Sequence, residues 1–96
     1  MRKERHMNRL VALPERLDHD AARDLHAELA IHRGFNLVID GSSVRVVGAL
    51  AAQVLVAAAR DWGVQNTTLS VATSIAMKSD LERLGVLDEL SIQEAI

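Results

Sequence analysis

Four histidines, His6, His19, His26 and His32, are the side chains of this 96-residue chain best suited to proton transfer or metal ligation. His19 and His26 stand seven positions apart and can share a helix face, yet the acids around them form no ligand spacing such as His-Glu-x-x-His. They read as surface histidines on the polar side of a helix, and no metal site is expected. Ser42 and Ser43 are the hydroxyls next to an acid, in the run Asp40-Gly-Ser-Ser43. An activated serine needs a base that a third group orients, and no histidine lies near in sequence. The pair therefore reads as turn serines bonding their own backbone. The same run has one glycine and no following lysine, so it is not a phosphate-binding loop. The absence of cysteine removes thiolate nucleophiles, thiolate metal ligands and disulfides together. The chain is expected to be no enzyme and to hold no cofactor.

Composition narrows the remaining functions. A chain this short builds one domain with a thin core, which excludes barrels and two-domain clefts. Hydrophobic residues are 49% and charged residues 25%, a globular balance. Phe35 and Trp62 are the whole aromatic content, so the core must be Leu, Val, Ile and Ala, and stacking platforms for nucleic-acid bases are missing. A net charge of −2 also argues against a phosphate backbone as partner. Residues 1–9 nevertheless carry Arg2, Lys3, Arg5 and Arg9 against Glu4. This basic leader is read as a solvated arm or a first edge strand ahead of a domain over 10–96. The longest apolar stretch, Val46 to Ala59, is interrupted by Gln53 and is too short for a bilayer, so no membrane insertion and a cytoplasmic location are expected. Leu10 to Leu13 is likewise too short for the apolar part of a signal peptide.

Apolar periodicity and turn residues predict the elements. Leu10 to Leu13 is a strand stopped by Pro14. Asp18 opens a helix whose stripe includes Leu17, Ala21, Ala22, Leu25 and Leu29, with Arg33 in its last turn and Gly34 as left-handed cap. Phe35 to Asp40 reads as a buried central strand. Past Val44 to Val47 and Gly48, a second helix runs from Ala49 to Trp62. Leu50, Val54, Leu55, Ala58 and Trp62 face inward, and Gly63 is its stop. Thr67 to Thr73 is a third strand, and Ile75 to Leu84 a third helix ended by Gly85. Ser91-Ile-Gln-Glu94 has capping-box spacing and predicts a last fragment of helix. Val38, Ile39, Leu55, Val71 and Leu84 are expected in the core. The alternation implies an α/β domain with a parallel or mixed sheet of four or five strands and three or four helices.

Three segments carry a family resemblance: Leu37-Val-Ile-Asp-Gly-Ser-Ser-Val44 before an Ala/Leu-rich helix, the opening Leu13-Pro-Glu-Arg-Leu-Asp18, and the closing Asp80-Leu-Glu-Arg-Leu-Gly-Val-Leu87. From Leu10 to about Leu90 the chain resembles the STAS family, the sulfate-transporter and anti-sigma-factor-antagonist domains. The family's aspartate-serine-serine-glycine turn falls on Gly48-Ala49-Leu50-Ala51, and Ala49 takes the place of the serine that partner kinases phosphorylate. The resemblance implies a non-catalytic interaction module that docks through this turn and is not switched there by phosphorylation, with Ser42 and Ser43 only displaced candidates. Independently of the family, small uncharged residues at a helix start let a partner approach free backbone N–H groups, and Arg45 and Gln53 can rim the contact. The partner-binding set is Arg45, Gly48, Ala49, Leu50 and Gln53. Partners implied by the family are signalling kinases, chemotaxis components (the favoured context), the ATPase of a lipid-transport ABC system, or an anti-sigma factor, with room for a homodimer. The competing class is a small ligand-binding α/β domain with its site at the strand ends near Asp40 and Thr73.

Overall fold

The computed structural model describes residues 9–94, so the basic leader ahead of Arg9, His6 included, lies outside the described residues. The elements in chain order are β1 (Arg9–Ala12), β2 (Arg16–Leu17), α1 (His19–Ile31), β3 (Leu37–Gly41), β4 (Val46–Val47), α2 (Ala49–Val64), β5 (Leu69–Thr73), α3 (Ile75–Arg83), a 3-10 turn (Leu87–Glu89) and β6 (Ile92–Glu94). Four strands form one sheet in the order β1-β3-β5-β6, and β2 pairs with β4 in a separate two-stranded ribbon. Every pairing is parallel. The α/β class is as expected, and the alternative of a mixed sheet gives way to a parallel one.

Strand alternation sorts the sheet into two unequal faces. Val11, Ile39 and Val71 lie side by side in register, and all three are buried with Leu25, Leu55 and Leu81 of the helices. On the opposite face Leu10 is 63% exposed and its register neighbours Val38 and Ser70 are half-buried. Val38 is therefore not the core residue that its place in a central strand suggests. Gly41 has a packing reason: a Cβ there would run into the Met77 side chain of α3 and approach the Ala72 carbonyl to 2.9 Å.

Asp18 caps α1 by accepting from the Ala21 N–H at 3.0 Å. The helix ends at Ile31, before Arg33, and Gly34 turns the chain at φ +89°. Gly85 plays the same part after α3 at φ +78°. Phe35 stands outside β3, 47% exposed, with the Arg9 guanidinium 3.6 Å from its ring centroid.

Four further expectations are corrected. Gly63 does not stop α2, which continues through Val64 and closes at Asn66 in the left-handed region (φ 61°). The buried face of α2 is Ala51, Ala52, Leu55, Val56, Ala58 and Trp62, which rotates Leu50 out to 43% exposure. Leu84, the cap of α3, is 37% exposed. Ser91 to Glu94 is not helical: β6 pairs in parallel with β5, and the Ser91 carbonyl accepts from the Val71 N–H at 2.8 Å. A few residues gain little from nucleating a helix, whereas beside a sheet edge each finds an existing ladder. Among the described residues no helix is long and apolar enough to cross a membrane.

Candidate functional site

The loop from Gly41 to Gly48 is fixed by hydrogen bonds of its backbone to groups on four sides, both main chain and side chain. The Ser42 N–H donates to Asp40 Oδ1 at 3.0 Å, closing a turn of the side chain on its own backbone. The Ser42 hydroxyl and then its N–H hold the Asp40 carboxyl below its ordinary range. Val44 N–H donates to the Gly41 carbonyl at 3.1 Å, and the Ser74 hydroxyl donates to the Val44 carbonyl at 2.6 Å while accepting from the Met77 N–H at 3.0 Å. Arg45 and Val46 both donate to the Glu15 carbonyl, at 2.7 and 3.3 Å. The Val47 N–H donates to Asp80 Oδ2 at 2.8 Å, and the Gly48 N–H to the Leu17 carbonyl at 2.9 Å. All five amides from Val44 to Gly48 thus have an acceptor, and Val44 and Val47 are buried. The strand β4 is only the middle of this strapped segment.

From that base the first turn of α2 projects outward. Gly48 is its N-cap in extended backbone, without a side-chain cap bond, and no acidic residue lies in the first turn. A Cβ on Gly48 would sit 3.0 Å from the Leu17 carbonyl, so the close approach of the two chains favours glycine. The Ala52 N–H bonds the Gly48 carbonyl at 3.1 Å, which leaves the N–H groups of Ala49, Leu50 and Ala51 ahead of the helical ladder. Ala49 and Gln53 are exposed, Leu50 is 43% exposed and Val46 36%.

The surroundings are cationic. The Arg45 side chain is 78% exposed and only loosely paired with Glu15, at 3.9 Å. Arg16 lies opposite Val46 in the ribbon and is exposed. Arg23, Ala22 and His26 of α1 join Leu50 and Val54 around a shallow hollow of about 300 Å³. A second hollow of about 290 Å³ shares His26 and Val54 and continues the groove between α1 and α2 as far as Arg33, Asp61 and Trp62.

The structure brings Arg45, Gly48, Ala49, Leu50 and Gln53 together on one surface, with Gly48 half-buried beneath the others. Ser42 and Ser43 are exposed in the turn upstream, outside the first turn of α2. His19 and His26 are exposed on α1, while His32 caps it with Nε2 3.4 Å from Glu28 Oε2. Among the described residues, no group of three or more His, Asp or Glu gathers to hold a metal ion. At the strand ends, Met77 occupies the space over Gly41, and neighbouring Thr73 is buried with its hydroxyl unbonded. Sequence reasoning missed Glu15, Leu17, Ser74 and Asp80 as the groups that fix the loop. Only Ser74 carried a local signal, as a cap residue three positions before Met77. Comparison of the chain with family models and with characterised proteins finds no match.

Proposed function

We propose that the chain is a non-catalytic docking module of STAS type, which engages a protein partner through the first turn of α2 and the loop that precedes it. The observation that carries this reading is the contrast across Gly48. From Val44 to Gly48 every amide is bonded, and just beyond, Ala49 and Leu50 stand exposed at the first helix N–H groups, which precede the helical ladder. A loop already ordered in the free protein loses little conformational entropy on binding, which favours a contact surface of this kind. Arg16, Arg23 and Arg45 give it a positive rim that suits a partner with carboxylates.

With Ala49 in place of a phosphorylatable serine, docking is constitutive. The proposed setting is the cytoplasm, with a chemotaxis signalling component as the favoured partner. A lipid-transport ABC ATPase or an anti-sigma factor would use the same surface, and neither nucleic acid nor a cofactor enters this function. The test is calorimetric titration against a chemotaxis kinase, an anti-sigma kinase and a lipid-transport ABC ATPase. Ala49→Asp should fold normally, since a carboxylate in the first turn is tolerated or mildly favoured, yet should weaken binding at least about tenfold. Unchanged affinity for this variant would place the contact elsewhere. Incubation with ATP and a cognate kinase should leave residues 48–51 unmodified, and stoichiometric phosphate on Ser42 or Ser43 would replace constitutive docking with a displaced switch.

A further inference from the structure

The strand β1 borders the sheet and, among the described residues, pairs on one side only, with β3. Arg9 and Leu13 donate toward that neighbour, to the carbonyls of Asn36 and Asp40 at 2.9 Å each. Successive residues of a strand turn their backbone groups to alternate sides, so the N–H and C=O of Leu10 and Ala12 face outward. Both residues are exposed.

Beside this edge runs a hollow of about 260 Å³ between β1 and α1. Val11, Leu13, Ala21 and Leu25 line it with apolar surface, and Asp24 and Glu28 stand on the helix side. Asp20, Asp24 and Glu28 are spaced four apart and form one mutually repelling stripe along α1. Glu28 has His32 beside it, whereas Asp24 has no ion-pair partner among the described residues.

We infer that this edge is a second docking site, independent of the one on α2, and that it takes an extended cationic peptide segment of another protein as an added strand. The backbone of such a segment completes the outward groups of Leu10 and Ala12. Its side chains alternate: one set points toward α1, with Lys or Arg stems over Val11 and Leu25 and charged ends at Asp24 and Glu28. The other set falls beside Leu10 on the open face of the sheet and is apolar. A second copy of this chain fits less well, because pairing two such edges would bring two acidic stripes to one junction.

The test uses the full chain, isotope-labelled, and an eight-residue peptide of alternating Lys and Val. The amides of Leu10 and Ala12 should shift and become protected from solvent exchange. A Glu-Val peptide should not bind there, and the Lys-Val peptide N-methylated on alternate residues should lose binding, because it lacks the donors that a ladder needs. Asp24→Asn with Glu28→Gln should weaken the Lys-Val peptide by about fivefold while leaving the melting temperature essentially unchanged. Equal binding of the Glu-Val or N-methylated peptide would overturn the proposal. So would shifts confined to the first turn of α2, or a dimer in sedimentation whose interface protects Leu10 and Ala12.

Discussion

The two ends of α2 are held by opposite means. At its C-terminal end the helix binds its own surroundings: Trp62 is 2% exposed and its indole N–H donates to the Phe35 carbonyl at 2.7 Å. Thr67 bonds the Trp62 carbonyl through both N–H and hydroxyl, at 3.1 and 3.3 Å. Arg33 grips Asp61 with two bonds of 2.7 and 2.9 Å. At the N-terminal end no side chain caps the helix, and order is imposed from outside by the carbonyls of Glu15 and Leu17 and the carboxylate of Asp80. One end is closed by what it buries. The other is rigid and still open, so the exposure of Leu50 is not a sign of loose packing.

Substitutions at the two ends should differ most in stability. Trp62→Ala should cost about 3–5 kcal/mol in urea unfolding, through the cavity left in the core and the unpaired Phe35 carbonyl. Leu50→Ala should cost less than about 1 kcal/mol while lowering partner affinity. Similar losses for the two would erase the contrast. Between them lies Asp80→Ala, which strips the Val47 N–H of its acceptor in a half-buried place and should cost about 1–2 kcal/mol. It should also speed hydrogen exchange at Val47 more than at Trp62, and equal exchange would mean that α3 does not hold the loop.

The smallest effect is one of pH. Hydrogen bonds from Arg33 hold the Asp61 carboxyl below its ordinary range. A folded-state pKa that is depressed contributes stability above the ordinary carboxylate range, and that contribution is lost as pH falls through the depressed value. Arg33→Ala should therefore flatten acid unfolding at this end of α2, and an unaltered acid limb would show that the pair adds nothing. Ser42→Ala should act in the same direction through Asp40, with no change in partner affinity.

Much of the fold was legible because its signals are local. Asp18 before α1, and Gly34 and Gly85 past the helix ends, all act within a turn of their own position, and the structure uses each as expected. What was missed depends on distant partners. Leu50 looked like a core position because Leu is usually buried, but half of the buried face of α2 is alanine, and the small size of Ala51, Ala52 and Ala58 hides the true face. Ser91 to Glu94 became a strand because Val71 presented a free edge, which no spacing within four residues reveals. The five candidate docking residues were found together because they are near neighbours in the chain. Asp80, which steadies them from 33 positions away, left no mark in the sequence around them.

Trp62 also makes the molecule an optical instrument with a single detector. The chain has one tryptophan and no tyrosine, so its near-ultraviolet emission comes almost wholly from this indole. Enclosed at 2% exposure and bonded to a carbonyl, it should emit toward the blue and be shielded from iodide quenching in the folded state. Unfolding then gives a large red shift from one known place. Ligands arriving at the first turn of α2, roughly three and a half helical turns away, or at the β1 border should leave the spectrum nearly still unless they bend the helix. A colour change on adding a partner would report strain carried along α2, and a silent titration would report contact without it.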